Sequence, residues 1–400
     1  GIPRESGNEE RMREYLIRFA HTRGLECRTD SVGNVCIVKE AAPGKENVST
    51  LVLQGHQDMV CEKTAGSTHN FLTDPIDYVI EDGWMIARET TLGADDGIGV
   101  AIELAILASD DIEHGPIECV FTRDEETGLT GAMGMKAGFM TGDMLINLDS
   151  EDEGQIFVSC AGGKNTTATF SFEKEDAPEG LFFMQISLKG LKGGHSGDDI
   201  NKKRANAIKI LSRFMYNVQE RYGVRLASFN GGKLHNAIPR DGVVVFAVPT
   251  ANKEDVRVDW NVFATEIEEE YHVTEQNMVF EMGSTDAQKV LPLEVSTKLI
   301  QALQAIDNGV FAMCQDEALA WMVETSTNTA SVNTSDNNVV VVTSQRSNVM
   351  SALDNQANTV KALFQLAGAE VVQGDGYPAW KMNANSELTK TAVETYKELF

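Results

Sequence analysis

Short apolar runs alternate with helix-spaced segments along the first third of the chain. "VGNVCIV", "LVLQG", "IECVFT" and "MLINL" each have strand length and end at polar or turn residues. Between the second and third lies "TTLGADDGIGVAIELAILAS", a glycine-flanked acidic pair that leads into a long apolar helix. Strands alternating with helices predict an α/β sheet with helices on its faces. Ahead of it, "RESGNEERMREYLIRFA" places Ser6 three residues before Glu9, which predicts a capping box opening a helix. At the other end, "SELTKTAVETYKELF" has a serine start and helical spacing, and it reaches Phe400 with no glycine stop signal.

The middle of the chain has a different rhythm. "ATFSFEKE", "FFMQISLKG", "GVVVFAVP" and "NNVVVVTSQ" alternate in the manner of antiparallel strands, with helices between them such as "KRANAIKILSRFMYNVQERY". Two domains are therefore expected, as a length of 400 residues also suggests. The boundaries read as 1–162 for the first part of an α/β domain, 163–376 for an inserted α+β domain, and 377–400 for the return to the first.

Three strand-like runs end in the same chemistry. "LVLQG" delivers His56 and Asp58; "IECVFT" runs into "RDEETG" with Glu125 and Glu126; "MLINL" leads to Asp149. Asp95 and Asp96 stand in the glycine-framed turn before the apolar helix. In open α/β sheets the ligand crevice lies beyond the carboxyl ends of the strands, so one histidine and several carboxylates converge on one edge. Bound zinc accepts imidazole nitrogen and carboxylate oxygen. Two metals about 3.5–4 Å apart can share a carboxylate and a bridging water. Asp95 suits the shared position, and Asp58 suits a partner that orients His56. Neighbouring side chains diverge, so one of Glu125 and Glu126 can ligate while the other acts as general base.

Composition narrows the partners. The chain has 60 Asp plus Glu against 34 Lys plus Arg, which argues against nucleic acid or an anionic membrane. No long uncharged apolar run suits a membrane span. The six cysteines show no C-x-x-C spacing, and Cys36 and Cys119 fall inside apolar runs, as in a protein of the reducing cytoplasm.

The ordered series "GHQDMV", "TTLGADDGIG", "TRDEETGLTGA", "INLDSEDEG", "GGHSG", "HNAIPR", "VETSTN" and "GYPAW" resembles the co-catalytic zinc peptidases and deacylases. That family includes aminoacylase, carnosinase and the glutamate carboxypeptidases, and the bacterial aminoacyl-histidine dipeptidase branch matches best. The resemblance implies a catalytic α/β domain, a mixed sheet flanked by helices, with an inserted α+β lid or dimerisation domain. It implies that His56 and Asp149 hold one Zn²⁺, that Glu126 holds the other and that Asp95 bridges them. Co²⁺ or Mn²⁺ suit the same ligands. Asp58 would orient His56, Glu125 would be the base acting on a metal-bridged water, and the Asp95–Asp96 peptide bond would be cis. In the lid, His195 would donate to the carbonyl oxygen, while Asn236 and Arg346 would grip the substrate's terminal carboxylate. From its flanking residues, His195 is expected just ahead of a helix. His69, His114, His235 and His272 match no family role.

The implied activity is metal-dependent hydrolysis of Xaa-His and related dipeptides in the cytoplasm, with a homodimer through the lid left open. Alternatives on the same scaffold are an N-acyl amino acid deacylase or a tripeptidase. A non-catalytic binding protein is the alternative of a different class. The family's second zinc takes a further histidine near the end of the catalytic domain, whereas the last histidine here is His272. The expectation is therefore that the natural protein continues past Phe400 and that metal on the Glu126 side of this chain is held weakly.

Overall fold

A computed structural model describes residues 1–150, 153–383 and 386–400. The chain divides into two compact units, Gly1–Phe157 with Asn385–Phe400, and Val158–Ala384.

In the first unit, helix α1 (Glu10–Thr22) precedes strands β1 (Glu26–Thr29), β2 (Val35–Lys39) and β3 (Leu51–His56). A hairpin of β4 (Tyr78–Glu81) and β5 (Trp84–Ala87) leads to α2 (Ala94–Ala108), β6 (Ile117–Thr122), the short helices α3 (Glu125–Gly128) and α4 (Thr130–Gly134), and β7 (Met144–Asn147). The sheet order is β1-β2-β6-β3-β7. β3 is parallel to both β6 and β7, while β1, β2 and β6 are antiparallel in turn. This mixed sheet buries Val35, Ile37, Leu53, Cys119 and Phe121 against Met12, Leu16 and Ala20 of α1 and Val100 and Leu107 of α2.

Register sets what the sheet presents at its edge. His56 lies opposite Thr122, and Gln54 lies opposite Asn147. Asp149, two residues past Asn147, is thereby brought level with His56, and Glu125 follows three residues past Thr122.

The second unit is built on β8 (Gly162–Ser171), β9 (Leu181–Lys189), β10 (Gly194–His195), α5 (Ala207–Tyr222), β11 (Arg225–Gly231), β12 (Ala237–Ile238) and β13 (Gly242–Pro249). It continues with α6 (Lys253–Glu270), β14 (Val279–Ser284), α7 (Leu293–Ala305), β15 (Gly309–Met313), β16 (Val323–Thr334), β17 (Asn338–Ser347), α8 (Met350–Leu366) and β18 (Glu370–Gln373). Its large sheet runs β14-β9-β13-β11-β16-β17-β8-β18, with β15 also on β16. The named strand pairs are antiparallel. The alternating valines of β13 and β17 put Val244, Phe246, Val339 and Val341 in one core with Phe214 of α5, Trp260 of α6, Leu299 of α7 and Phe364 of α8. Asn206 caps α5 by accepting from the amides of Ile208 and Lys209. The chain then returns to the first unit as α9 (Glu387–Leu399), where Ser386 accepts from the Thr389 amide.

Three expectations change. Ser6 caps nothing: α1 begins at Glu10, its cap residue Glu9 makes no side-chain cap, and the Ser6 hydroxyl bonds Asp58 instead. No helix follows His195 directly; turns occupy the segment until α5 starts at Ala207. The segment from Tyr377 to Trp380, expected to return to the first domain, instead pairs with Gly163 and Cys160, so the units divide at 158 and 384.

Candidate metal centre and anion-binding cluster

Of the six acidic and imidazole side chains singled out in the first unit, five sit at or just beyond a strand end, and Asp95 stands at the start of α2. The His56 ring is buried, its Nε2 lies 2.8 Å from Asp95 Oδ1 and 3.5 Å from Asp149 Oδ1, and its Nδ1 faces Asp58 Oδ1 at 3.2 Å. Donor atoms of His56, Asp95 and Asp149 all lie within 4.8 Å of one another, and so do those of His56, Glu125 and Glu126. Among the described residues both groups draw on the same imidazole. The Glu151 and Asp152 end of the "LDSEDEG" motif lies outside the described residues.

Asp58 explains why the His56 ring is fixed. Its Oδ1 accepts from the Glu125 amide at 3.0 Å, and its Oδ2 accepts from the Ser6 hydroxyl at 2.8 Å and the Glu126 amide at 3.2 Å. Burial alone would raise its pKa; the bonds from His56, the Glu125 amide and Ser6 overrule that and hold it down at about 2. A single carboxylate thus ties the β3 loop to the loop carrying both glutamates. Asp96 does the same on the other side, accepting from the His56 amide and the Gly99 amide, each at 3.1 Å. A Cβ on Gly99 would stand 2.8 Å from the Asp96 carboxyl carbon, so a larger residue there would displace that carboxylate. The Asp95–Asp96 peptide bond is cis.

Two N-terminal residues belong to this centre although no motif marks them. Arg4 donates to the carbonyls of Gln57 and Asp58 through Nη1 and to that of Gly93 through Nη2, joining the β3 loop to the turn before α2. Ser6 is the hydroxyl on Asp58.

The electrostatics are those of crowded anions. Burial raises the Asp95 carboxyl, Asp149 raises it further, and His56 opposes both. Burial likewise raises Glu126, with Asp95 adding to it. Glu125 is pushed up to about 7 by burial and by Asp149, Glu126 and Asp58, against the pull of His56. For His56 itself burial pulls downward, but the hydrogen bonds with Asp149, Asp58 and Asp95 carry it up to about 11. One imidazole faced by carboxylates that repel one another is a donor set that fits a divalent cation.

The second unit gathers the other three predicted residues. His195 on β10 pairs with Ala237 on β12, and the Ser196 amide donates to the Asn236 carbonyl at 2.8 Å, which sets His195 beside Asn236 in the turn that leads into β12. Arg346 on β17 reaches the same place: its Nη2 lies 3.4 Å from His195 Nε2. Asp198 Oδ2 stands 2.9 Å from His195 Nδ1. Arg346 Nη1 donates at 2.8 Å to the hydroxyl of Tyr377, a residue to which sequence reasoning gave no role.

Comparison with known proteins places the chain in a family. Residues 52–400 match the sequence profile of Peptidase family M20/M25/M40. The chain is 39% identical to the cytosol non-specific dipeptidase of Escherichia coli (strain K12) over 401 aligned positions, covering 100% of this chain and 82% of that protein. It superposes with a TM-score of 0.88 on the crystal structure of aminoacylhistidine dipeptidase from Vibrio alginolyticus, at 39% identity, covering 100% of this chain and 81% of that one. A tripeptidase from Staphylococcus aureus shares the fold, with a TM-score of 0.52 and 18% identity over 100% of this chain and 78% of its own. No helix among the described residues is long and apolar enough to cross a membrane.

Proposed function

This chain belongs to peptidase family M20/M25/M40, and from that premise we propose that it is a metal-dependent dipeptidase whose hydrolytic groups are those gathered around His56. The observation that carries this reading is the meeting of Asp95 and Asp149 at one imidazole nitrogen, with Glu125 and Glu126 within 4.8 Å of the same ring's donor atoms. His56 and Asp149 would hold one metal ion, Glu126 a second, and Asp95 would be shared. Zinc suits these donors, and cobalt or manganese would be accepted as well. A bound divalent ion supplies acidification of water and polarisation of the scissile carbonyl.

The chain's own residues do the rest. Asp58 keeps the imidazole oriented and raises its basicity as a ligand. Glu125 receives a proton from water and returns it to the departing amine. Recognition groups are proposed on the second unit: Arg346 and Asn236 for the substrate's terminal carboxylate, and His195 as a donor to the carbonyl oxygen. A cytoplasmic location is part of this reading, supported by six free cysteines, two of them buried.

The direct test is Glu125→Gln. The variant should keep its metal content and lose dipeptide hydrolysis; near-normal turnover would remove Glu125 from the role of base.

A further inference from the structure

The "GYPAW" motif and the glycine pair of "AGGK" have no part in the hydrolytic centre, yet the structure puts them side by side in the second unit. Gly163 on β8 lies opposite Arg346 on β17. On its other side it pairs with Tyr377, exchanging backbone hydrogen bonds of 3.1 and 2.9 Å. The Tyr377 ring lies over Gly163. A Cβ at that position would stand 2.6 Å from the ring's Cζ and 2.7 Å from its Cε1, closer than side chains tolerate. Glycine therefore lets the phenol cross the strand and meet Arg346.

The state of Arg346 says what this arrangement awaits. The chain carries 60 acidic residues against 34 basic ones, and yet Arg346 forms no ion pair among the described residues. Its partners are the Tyr377 oxygen and the His195 ring, and its Nε is buried with no hydrogen-bond partner. The Tyr377 oxygen accepts from Arg346, which leaves its own O–H without an acceptor among the described residues. A guanidinium without a counter-ion, next to an unused hydroxyl donor, forms a receptor for a carboxylate.

We propose that Tyr377 is a third recognition residue for the substrate's terminal carboxylate, beside Arg346 and Asn236: it fixes Arg346 through Nη1 and donates its phenolic hydrogen to the same carboxylate. The proposal rests on the reading of Arg346 given above. It names the substrate class as peptides with a free C-terminal carboxylate, to the exclusion of their amides.

The test measures equilibrium binding of Ala-His and of its C-terminal amide to the zinc-loaded 400-residue chain in the Glu125→Gln background, so that nothing is hydrolysed. The parent should prefer the free carboxylate. Tyr377→Phe should weaken Ala-His about 10-fold and leave the amide unchanged, as loss of one hydrogen bond to a charged group implies. Gly163→Ala should give the same selective loss with the hydroxyl still present, because its Cβ displaces the ring. Arg346→Met should weaken Ala-His about 100-fold. Equal weakening of both ligands by Tyr377→Phe would mean a purely structural residue and overturn the proposal. No effect of Tyr377→Phe, with Arg346→Met still discriminating, would overturn the role of Tyr377 alone. A parent chain that does not prefer the free carboxylate, or an Arg346→Met variant that binds as the parent does, would overturn the carboxylate reading of Arg346 and Tyr377's role with it.

Discussion

The two units hold their polar clusters by opposite means. In the first, carboxylates outnumber cations, and buried bonds enforce the crowding: Asp58, fully buried, accepts from His56, Ser6 and two backbone amides. In the second, a half-buried arginine without a carboxylate partner among the described residues is steadied by a phenol that can approach only over a glycine. One cluster is short of positive charge, and the other holds the Asp198 carboxylate on His195 rather than on Arg346. On the reading proposed above, each is preorganised for its ligand, a cation in the first and a carboxylate in the second, with the reorganisation already met in folding.

Substitutions sharpen this contrast in order of expected size. Glu125→Gln keeps shape and hydrogen-bonding reach but removes the base; turnover should fall about 10²- to 10⁴-fold at unchanged zinc content, read from steady-state rates and elemental analysis. Asp58→Ala removes the acceptor that four donors share, so zinc affinity should fall about 10- to 100-fold, read by competition with a chelator. Ser6→Ala removes one of those donors and should weaken zinc in the same assay, but by less than Asp58→Ala does. A Ser6→Ala variant that matches wild type would show that His56 and the two backbone amides suffice to hold Asp58.

The smallest effect concerns stability. Glu103 on α2 is fully buried, and neither carboxylate oxygen has a partner among the described residues. Burial, with Asp96 adding, keeps its pKa well above the ordinary carboxylate value. Below the unfolded value both states are protonated. As pH rises through it the unfolded chain ionises first, so the native state loses relative stability until the folded pKa is passed. Glu103→Leu should therefore stabilise the first unit by about 1–3 kcal/mol at pH 8 and by less near pH 5, measured by denaturant unfolding at the two pH values. A gain independent of pH would mean that packing, not ionisation, is responsible.

How much of this was readable beforehand follows from how local each signal is. His56, Glu125 and Asp149 stand directly after apolar strands, and strand pairing brings such positions to one edge, so their convergence could be read from the order of runs. Glu103 was not singled out in the sequence; the structure shows it in helical spacing with Asp96, Gly99, Val100 and Leu107 on the buried face of α2. Ser6 was misread because its local spacing to Glu9 mimics a capping box; the bond it makes spans 52 residues. Arg4 depends on contacts spanning 53 and more residues, which no local pattern encodes. Tyr377 escaped for a related reason. Its position depends on the missing side chain of Gly163, and a glycine in a strand announces a close approach without saying of what.

The central claim is that His56 and Asp149, steadied by Asp58, hold a metal ion. The most direct measurement is a zinc titration of the 400-residue chain beside His56→Ala and Asp149→Asn, with circular dichroism confirming that all three are folded. The account predicts one tight equivalent in the parent, with any second ion washing out, and loss of the tight equivalent in both variants. Two tight and equal sites in the parent, or tight binding retained by folded His56→Ala, would contradict it.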